Sequence, residues 1–196
     1  NYSNAFFECG MTLVRYPGGT IAETEFDFRD SDGPDDDRPS LSDVIAFCNA
    51  TDTVLMLVIP TKRFATNISA GVQYARDFVK AVNVDKEFGD IHVKYWELGN
   101  EYFVPQPFEL DADVYKLIAD KFAAGIVATD PNIVPIVQFY RNSTEATRAI
   151  GEYLDASPNA GSVKAILTHV YPGTRHLENA LQKTIPRQLA TGRRIF

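Results

Sequence analysis

Five short apolar runs recur along this chain, and a helix-like or helix-bearing stretch follows each one. The runs are "MTLVRYP" (11–17), "TVLMLVIP" (53–60), "IHVKYWELGNE" (91–101), "NIVPIVQFY" (132–140) and "SVKAILTHVYP" (162–172). Each is strand-sized and rich in β-branched or aromatic residues. The second is apolar from Val54 to Ile59, the pattern of a strand buried on both faces of a parallel sheet. Between the runs, 40–50, 69–83, 111–129 and 143–156 carry helical spacing. Ser40 or Ser42 caps the first of these and Asp111 the third. A last helix is expected over 174–190, kinked or ended at Pro186. "NAFFECG" (4–10) reads as the end of a helix feeding the first strand. Such βα alternation dictates a mostly parallel sheet.

Two architectures satisfy that demand, an open doubly wound sheet and a closed (β/α)8 barrel. The open sheet usually carries a glycine-rich phosphate turn, and neither GxGxxG nor GxxxxGK occurs. In a barrel, chemistry comes from the C-terminal ends of several strands. The unusual polar residues of this chain lie there: Arg15, Asn100, Glu101, Gln138, His169 and Tyr171. The expected fold is therefore an α/β TIM barrel. Five βα units do not close one, so 1–196 is expected to be a single barrel domain that lacks the first strand and the last two. It then holds strands two to six.

Composition excludes several function classes. The chain has 196 residues, 45% of them hydrophobic, enough for one sizeable core. A net charge of −7 argues against a nucleic-acid partner, which needs a basic surface. No apolar run approaches the ~18–20 residues that span a bilayer, so no membrane partner is expected. Cys9 and Cys48 form no CxxC motif and read as two reduced thiols. Sequons at Asn1, Asn49, Asn67 and Asn142 lean toward a secreted protein. The aspartate-rich segment 27–40 reads as a solvated surface loop. It is oxygen-rich enough for calcium but does not match the EF-hand spacing. The three histidines have no metal-ligand spacing, and no metal or cofactor is expected.

Three motifs stand at strand ends. In "YWELGNEYF" (95–103), residues two apart share a strand face, so Tyr95, Glu97, Gly99 and Glu101 point one way. Glu97 lies ~13 Å deeper than Glu101 at strand spacing. It reads as a buried ion pair with Arg15 or Lys94. Glu101 sits at the rim, and pattern alone leaves it open between a salt bridge and chemistry. Asn100 can turn toward the same site where the strand loosens. "RYPGG" (15–19) puts Arg15 at a strand end, followed by Gly18 and Gly19, either a tight turn or a floor beneath a ligand. "THVYPG" (168–173) puts His169 and Tyr171 on one face of another strand end.

"LVRYPGG", "YWELGNEYF" and "THVYPG", in this order, resemble the retaining glycoside hydrolases of clan A. The nearest resemblance is to the α-L-arabinofuranosidase-type barrels of glycoside hydrolase family 51, and it covers essentially the whole chain. It implies that Glu101 is the general acid/base and that Asn100 binds the sugar 2-hydroxyl. It also implies that Arg15, Gly18, Gly19, His169 and Tyr171 line the substrate site. Retaining hydrolysis needs a second carboxylate as nucleophile, ~5–5.5 Å from the first. The resemblance assigns it to the end of the seventh strand, beyond this chain. The implied partners are a carbohydrate substrate and the rest of the barrel, and the chain alone is expected to be inactive. Two rivals stand beside this reading. One is a non-catalytic carbohydrate-binding barrel, using Tyr16, Tyr102, Phe103, Phe139, Tyr140 and Tyr171 as stacking platforms. The other is a metal-dependent enzyme built on the acidic loop.

Overall fold

Six parallel strands form one sheet in chain order. They are β1 (Leu13–Tyr16), β2 (Val54–Ile59), β3 (Tyr95–Leu98), β4 (Val134–Gln138), β5 (Ala165–Leu167) and β6 (Arg194–Ile195). The computed structural model describes residues 10–30, 38–140, 142–169 and the backbone of 194–195. Helices α1 (Ile21–Thr24), α2 (Leu41–Thr51), α3 (Ile68–Val79), α4 (Ala112–Thr129) and α5 (Thr144–Ala156) connect the strands. The expected segment before β1, Cys9, the helix over 174–190, Tyr171 and residues 31–37 of the acidic loop lie outside the described residues.

The helix starts follow from local chemistry. Ser40 caps α2 in a reciprocal box with Asp43, and Asn67, Asp111 and Ser143 cap α3, α4 and α5 through their side chains. Helix α3 runs on into a π-helical turn, Lys80–Val84. That turn aims Asn83 at Val93, whose backbone N–H and C=O both bond the Asn83 amide at 2.9 Å. This is why the third strand begins at Tyr95 rather than at the expected residue 91: the backbone of Val93 pairs with a side chain and not with a neighbouring strand.

The sheet buries both faces. Leu55, Leu57, Ile59, Trp96, Leu98, Val137 and Ile166 pack outward against the helices in the main core. Met56, Val134, Ile136, Ala165 and Leu167 form a second cluster on the other face, with Tyr95 against it. Glu97 shares that second face, level with Val58 and Ile136. Full burial of a large apolar side chain stabilises by ~1.5–3 kcal/mol, so two buried faces hold the strand ends rigidly. Strand β6 is an addition to the five expected strands. It pairs parallel with β5 through only two residues, too few to carry a periodic signal.

Candidate active site

The end of β3 is shaped by two residues with left-handed backbone, Gly99 at φ +82° and Glu101 at φ +43°. The Gly99 N–H still completes the ladder to the Ile59 carbonyl at 2.7 Å, and the chain then turns. A Cβ at Gly99 would stand 2.3 Å from Thr61 Oγ1, so both the dihedral and the space require glycine. The turn brings the Asn100 side chain to the same site as Glu97: Arg15 donates to Glu97 through Nε and to Asn100 Oδ1 through Nη2 at 2.9 Å. Arg15 is thus the partner of Glu97, and Lys94 instead lies over the Tyr95 ring. Glu97 is fully buried, and its other oxygen accepts from Gln138 Nε2. Burial of that charge is tolerable because both oxygens are paired.

His169, just beyond β5, faces Glu101. Its Nδ1 lies 2.7 Å from Glu101 Oε1, and its Nε2 lies 3.9 Å from Glu97 Oε1. One imidazole therefore reaches both carboxylates. This corrects the depth expected from strand spacing. The strand ends at Leu98, and the left-handed residues stop the rise along it, so Glu101 does not stand a full four residues above Glu97. Arg15, Asn100, Glu101 and His169 thus converge on the C-terminal ends of β1, β3 and β5. Gly18 borders them, with an added Cβ only 3.8 Å from Arg15 Nη1, and Gly19 takes φ +67° where the chain enters α1.

The expected aromatic rim is narrower than the sequence suggested. Tyr102 and Phe139 are buried, and Tyr102 stacks on Tyr115 at 4.0 Å. Neither offers a free ring face. Phe103 and Tyr140 are partly exposed and stack on each other at 4.0 Å. The Tyr115 hydroxyl donates to the Leu98 carbonyl at 2.8 Å and accepts from the Gln138 N–H at 2.9 Å, tying the ends of β3 and β4 together.

Sequence reasoning passed over two buried charged groups. Glu23 in α1 accepts from the N–H groups of Thr61, Lys62 and Asn100 and from the Thr61 hydroxyl. Burial pushes its carboxyl above the usual carboxylate range, against the pull of those four donors. Lys62 is 1% exposed and donates to the Val104 and Gln106 carbonyls at 2.6 and 2.9 Å. Desolvation lowers its ammonium below the usual lysine value. The available signal for Glu23 was weak: it is one of three acids, with Glu25 and Asp27, spaced two apart after the Gly-Gly turn. Among the described residues, no group of three or more His, Cys, Asp or Glu side chains is arranged to hold a metal ion. No described helix is long and apolar enough to cross a membrane.

No family model matches the chain. In an alignment 158 positions long that covers 66% of the chain, it is 28% identical to the exo-α-(1→6)-L-arabinofuranosidase of Bifidobacterium longum. It is similar in fold to a family 51 α-L-arabinofuranosidase of Bifidobacterium longum, with a TM-score of 0.70 at 19% identity over 96% of the chain. An α-L-arabinofuranosidase of Thermotoga maritima gives 0.68 at 17% identity, also over 96%. The chain spans 29% of the curated relative and 42% and 43% of the two solved chains. These likenesses, with the parallel sheet, establish an incomplete (β/α)8 barrel, and the proteins it is similar to are glycoside hydrolases.

Proposed function

We propose that this chain forms the acid/base side of a retaining glycoside hydrolase. Glu101 is the general acid/base. Its carboxyl gives its proton to the glycosidic oxygen as the bond to the anomeric carbon breaks. A carboxylate supplied by sequence beyond these 196 residues takes the sugar as a covalent ester. Glu101, now ionised, then accepts a proton from the water that cleaves that ester. Asn100, steadied by Arg15, binds the sugar 2-hydroxyl, and His169 orients Glu101 through Nδ1. Gly18 and Gly19 complete the described part of the substrate site, and Tyr171 is assigned to it on the family resemblance alone.

The observation that carries this reading is the convergence of Arg15, Asn100, Glu101 and His169 from three strand ends, with Arg15 bonded to Asn100 and Glu97 and with His169 set between Glu97 and Glu101. This reading leaves Glu97 out of the nucleophile's role, because its carboxylate is fully buried in an ion pair with Arg15 and a bond from Gln138. The similarity to arabinofuranosidases supports an arabinofuranoside as the first substrate to try. The sequons support a secreted setting. The remainder of the barrel is the partner that this reading requires, and the chain alone has no turnover.

The test is stereochemical. The full-length protein is given an aryl α-L-arabinofuranoside, and proton NMR follows the first-formed anomer of the free sugar. A product of retained configuration supports the reading. An inverted product contradicts it, and sugar binding without turnover puts the non-catalytic barrel ahead.

A further inference from the structure

Glu23 is a buried carboxylate that the mechanism above does not use. Glu23 is 1% exposed and joins the loops that follow three successive strands. It stands on α1, after β1. Its Oε2 accepts from Thr61 N and Lys62 N, both at 2.8 Å, after β2. Its Oε1 accepts from Asn100 N at 2.7 Å and from Thr61 Oγ1 at 3.2 Å, which reaches the turn after β3. An ionised carboxylate has about four acceptor positions, and four donors fill them here. Isolated burial of such a charge opposes folding. A merely apolar filler would spare that cost, so the charged group at this point needs a reason.

The geometry points to Glu23 as a positioning residue for the acid/base turn: by fixing the Asn100 N–H it sets the direction in which Glu101 leaves the sheet. This rests on the reading of Glu101 as general acid/base. Three features support it. Asn100 is held twice, its side chain by Arg15 and its backbone by Glu23. The turn closes so tightly on the carboxylate that a Cβ at Gly99 would lie 3.1 Å from Glu23 Oε1. Lys62, whose backbone N–H Glu23 holds, anchors Val104 and Gln106 on the far side of Glu101 through its ammonium. The pair thus braces the segment 100–106 from both ends.

The substitution Glu23→Gln keeps the shape and volume but offers one acceptor oxygen, so its amide faces N–H groups that it cannot satisfy. Both Glu23→Gln and Glu101→Gln are made in the full-length protein. Their kcat is measured per folded molecule on one glycoside with a poor leaving group and one with an activated aryl leaving group. Misplacing a catalytic group by ~1 Å costs about 10²-fold. Glu23→Gln is expected to lose about that factor on the poor leaving group and less than about tenfold on the activated one, with faster hydrogen exchange at the Asn100 amide. A residue that only stabilises the fold would lower the folded fraction and leave the two kcat values in their wild-type ratio. That result, with Glu101→Gln behaving as an acid/base variant, overturns the positioning role alone. If Glu101→Gln itself shows no leaving-group dependence, the acid/base reading falls and this inference falls with it. Should Glu23→Gln fail to fold, Glu23→Asp keeps the charge but shortens its reach. It is then expected to show the same split at about tenfold, and an unchanged ratio overturns the inference.

Discussion

His169 Nδ1 stands 2.7 Å from Glu101 Oε1, although the two residues lie on different strand ends and 68 positions apart. The bond joins the turn after β3 to the segment after β5 across the mouth of the barrel. It gives Glu101 a fixed partner in either protonation state, since the imidazole can donate to the carboxylate or accept from the acid.

Substituting that imidazole therefore tests its orienting role. His169→Ala in the full-length protein is expected to lower kcat by about 10–10²-fold on substrates with poor leaving groups, and to lower it less on activated ones. Steady-state kinetics on both substrate types checks this. A change confined to KM would assign His169 to binding alone.

Arg15 and Glu97 form a buried ion pair, with the Glu97 side chain at 0% exposure and that of Arg15 at 20%. Arg15→Met leaves the Glu97 charge unpaired and is expected to destabilise by about 3–5 kcal/mol. The double variant Arg15→Met/Glu97→Met removes both charges and should be more stable than Arg15→Met. Urea midpoints of the three proteins decide the matter.

At the opposite end of the sheet, Asp130 accepts from Asn83 and Asn132 and pairs with His92 at 2.8 Å. Burial opposes its charge, but these hydrogen bonds outweigh burial and hold its carboxyl below the ordinary 3.8. A depressed carboxyl contributes stability that is present above the unfolded value and is lost as pH falls through the folded one. Asp130→Ala should therefore cost about 1–3 kcal/mol at neutral pH, and the gap to wild type should close on acidification below the ordinary value. Denaturant titrations from about pH 7 to about pH 3 follow it.

Gly99 is required by both its φ of +82° and its contact with Thr61. Gly99→Ala is expected to cost about 1–3 kcal/mol and to lower kcat as well, because the strain falls on the turn that carries Asn100 and Glu101. Thermal midpoint and kcat measured on the same preparation check both effects. A stable variant with wild-type kcat would show that the turn tolerates a shift.

Much of this arrangement was legible in the residues because periodicity and capping are local properties. The run Val54–Ile59, the cap at Asp111 and the alternation that buries Glu97 among inward-facing residues all follow from spacing within a few residues. What escaped depends on contacts distant in sequence. Glu23 looks no different from Glu25 until Thr61, Lys62 and Asn100 surround it. The burial of Lys62, Tyr102 and Phe139 is likewise decided by what packs over them. Two residues at 194–195 carry no pattern, and only their pairing with β5 reveals a strand. Helix α1 is one turn long, too short for a hydrophobic period.

If Glu101 gives a proton to the departing glycosidic oxygen, its removal must be felt in proportion to how much that oxygen needs the proton. In the full-length protein, Glu101→Gln is assayed on a substrate whose leaving alcohol needs protonation and on an activated aryl glycoside that needs little. A loss of about 10³-fold is expected on the first, with the glycosylation step on the second reduced by less than about tenfold. Equal and minor losses on both substrates would contradict it and remove Glu101 from the acid/base role.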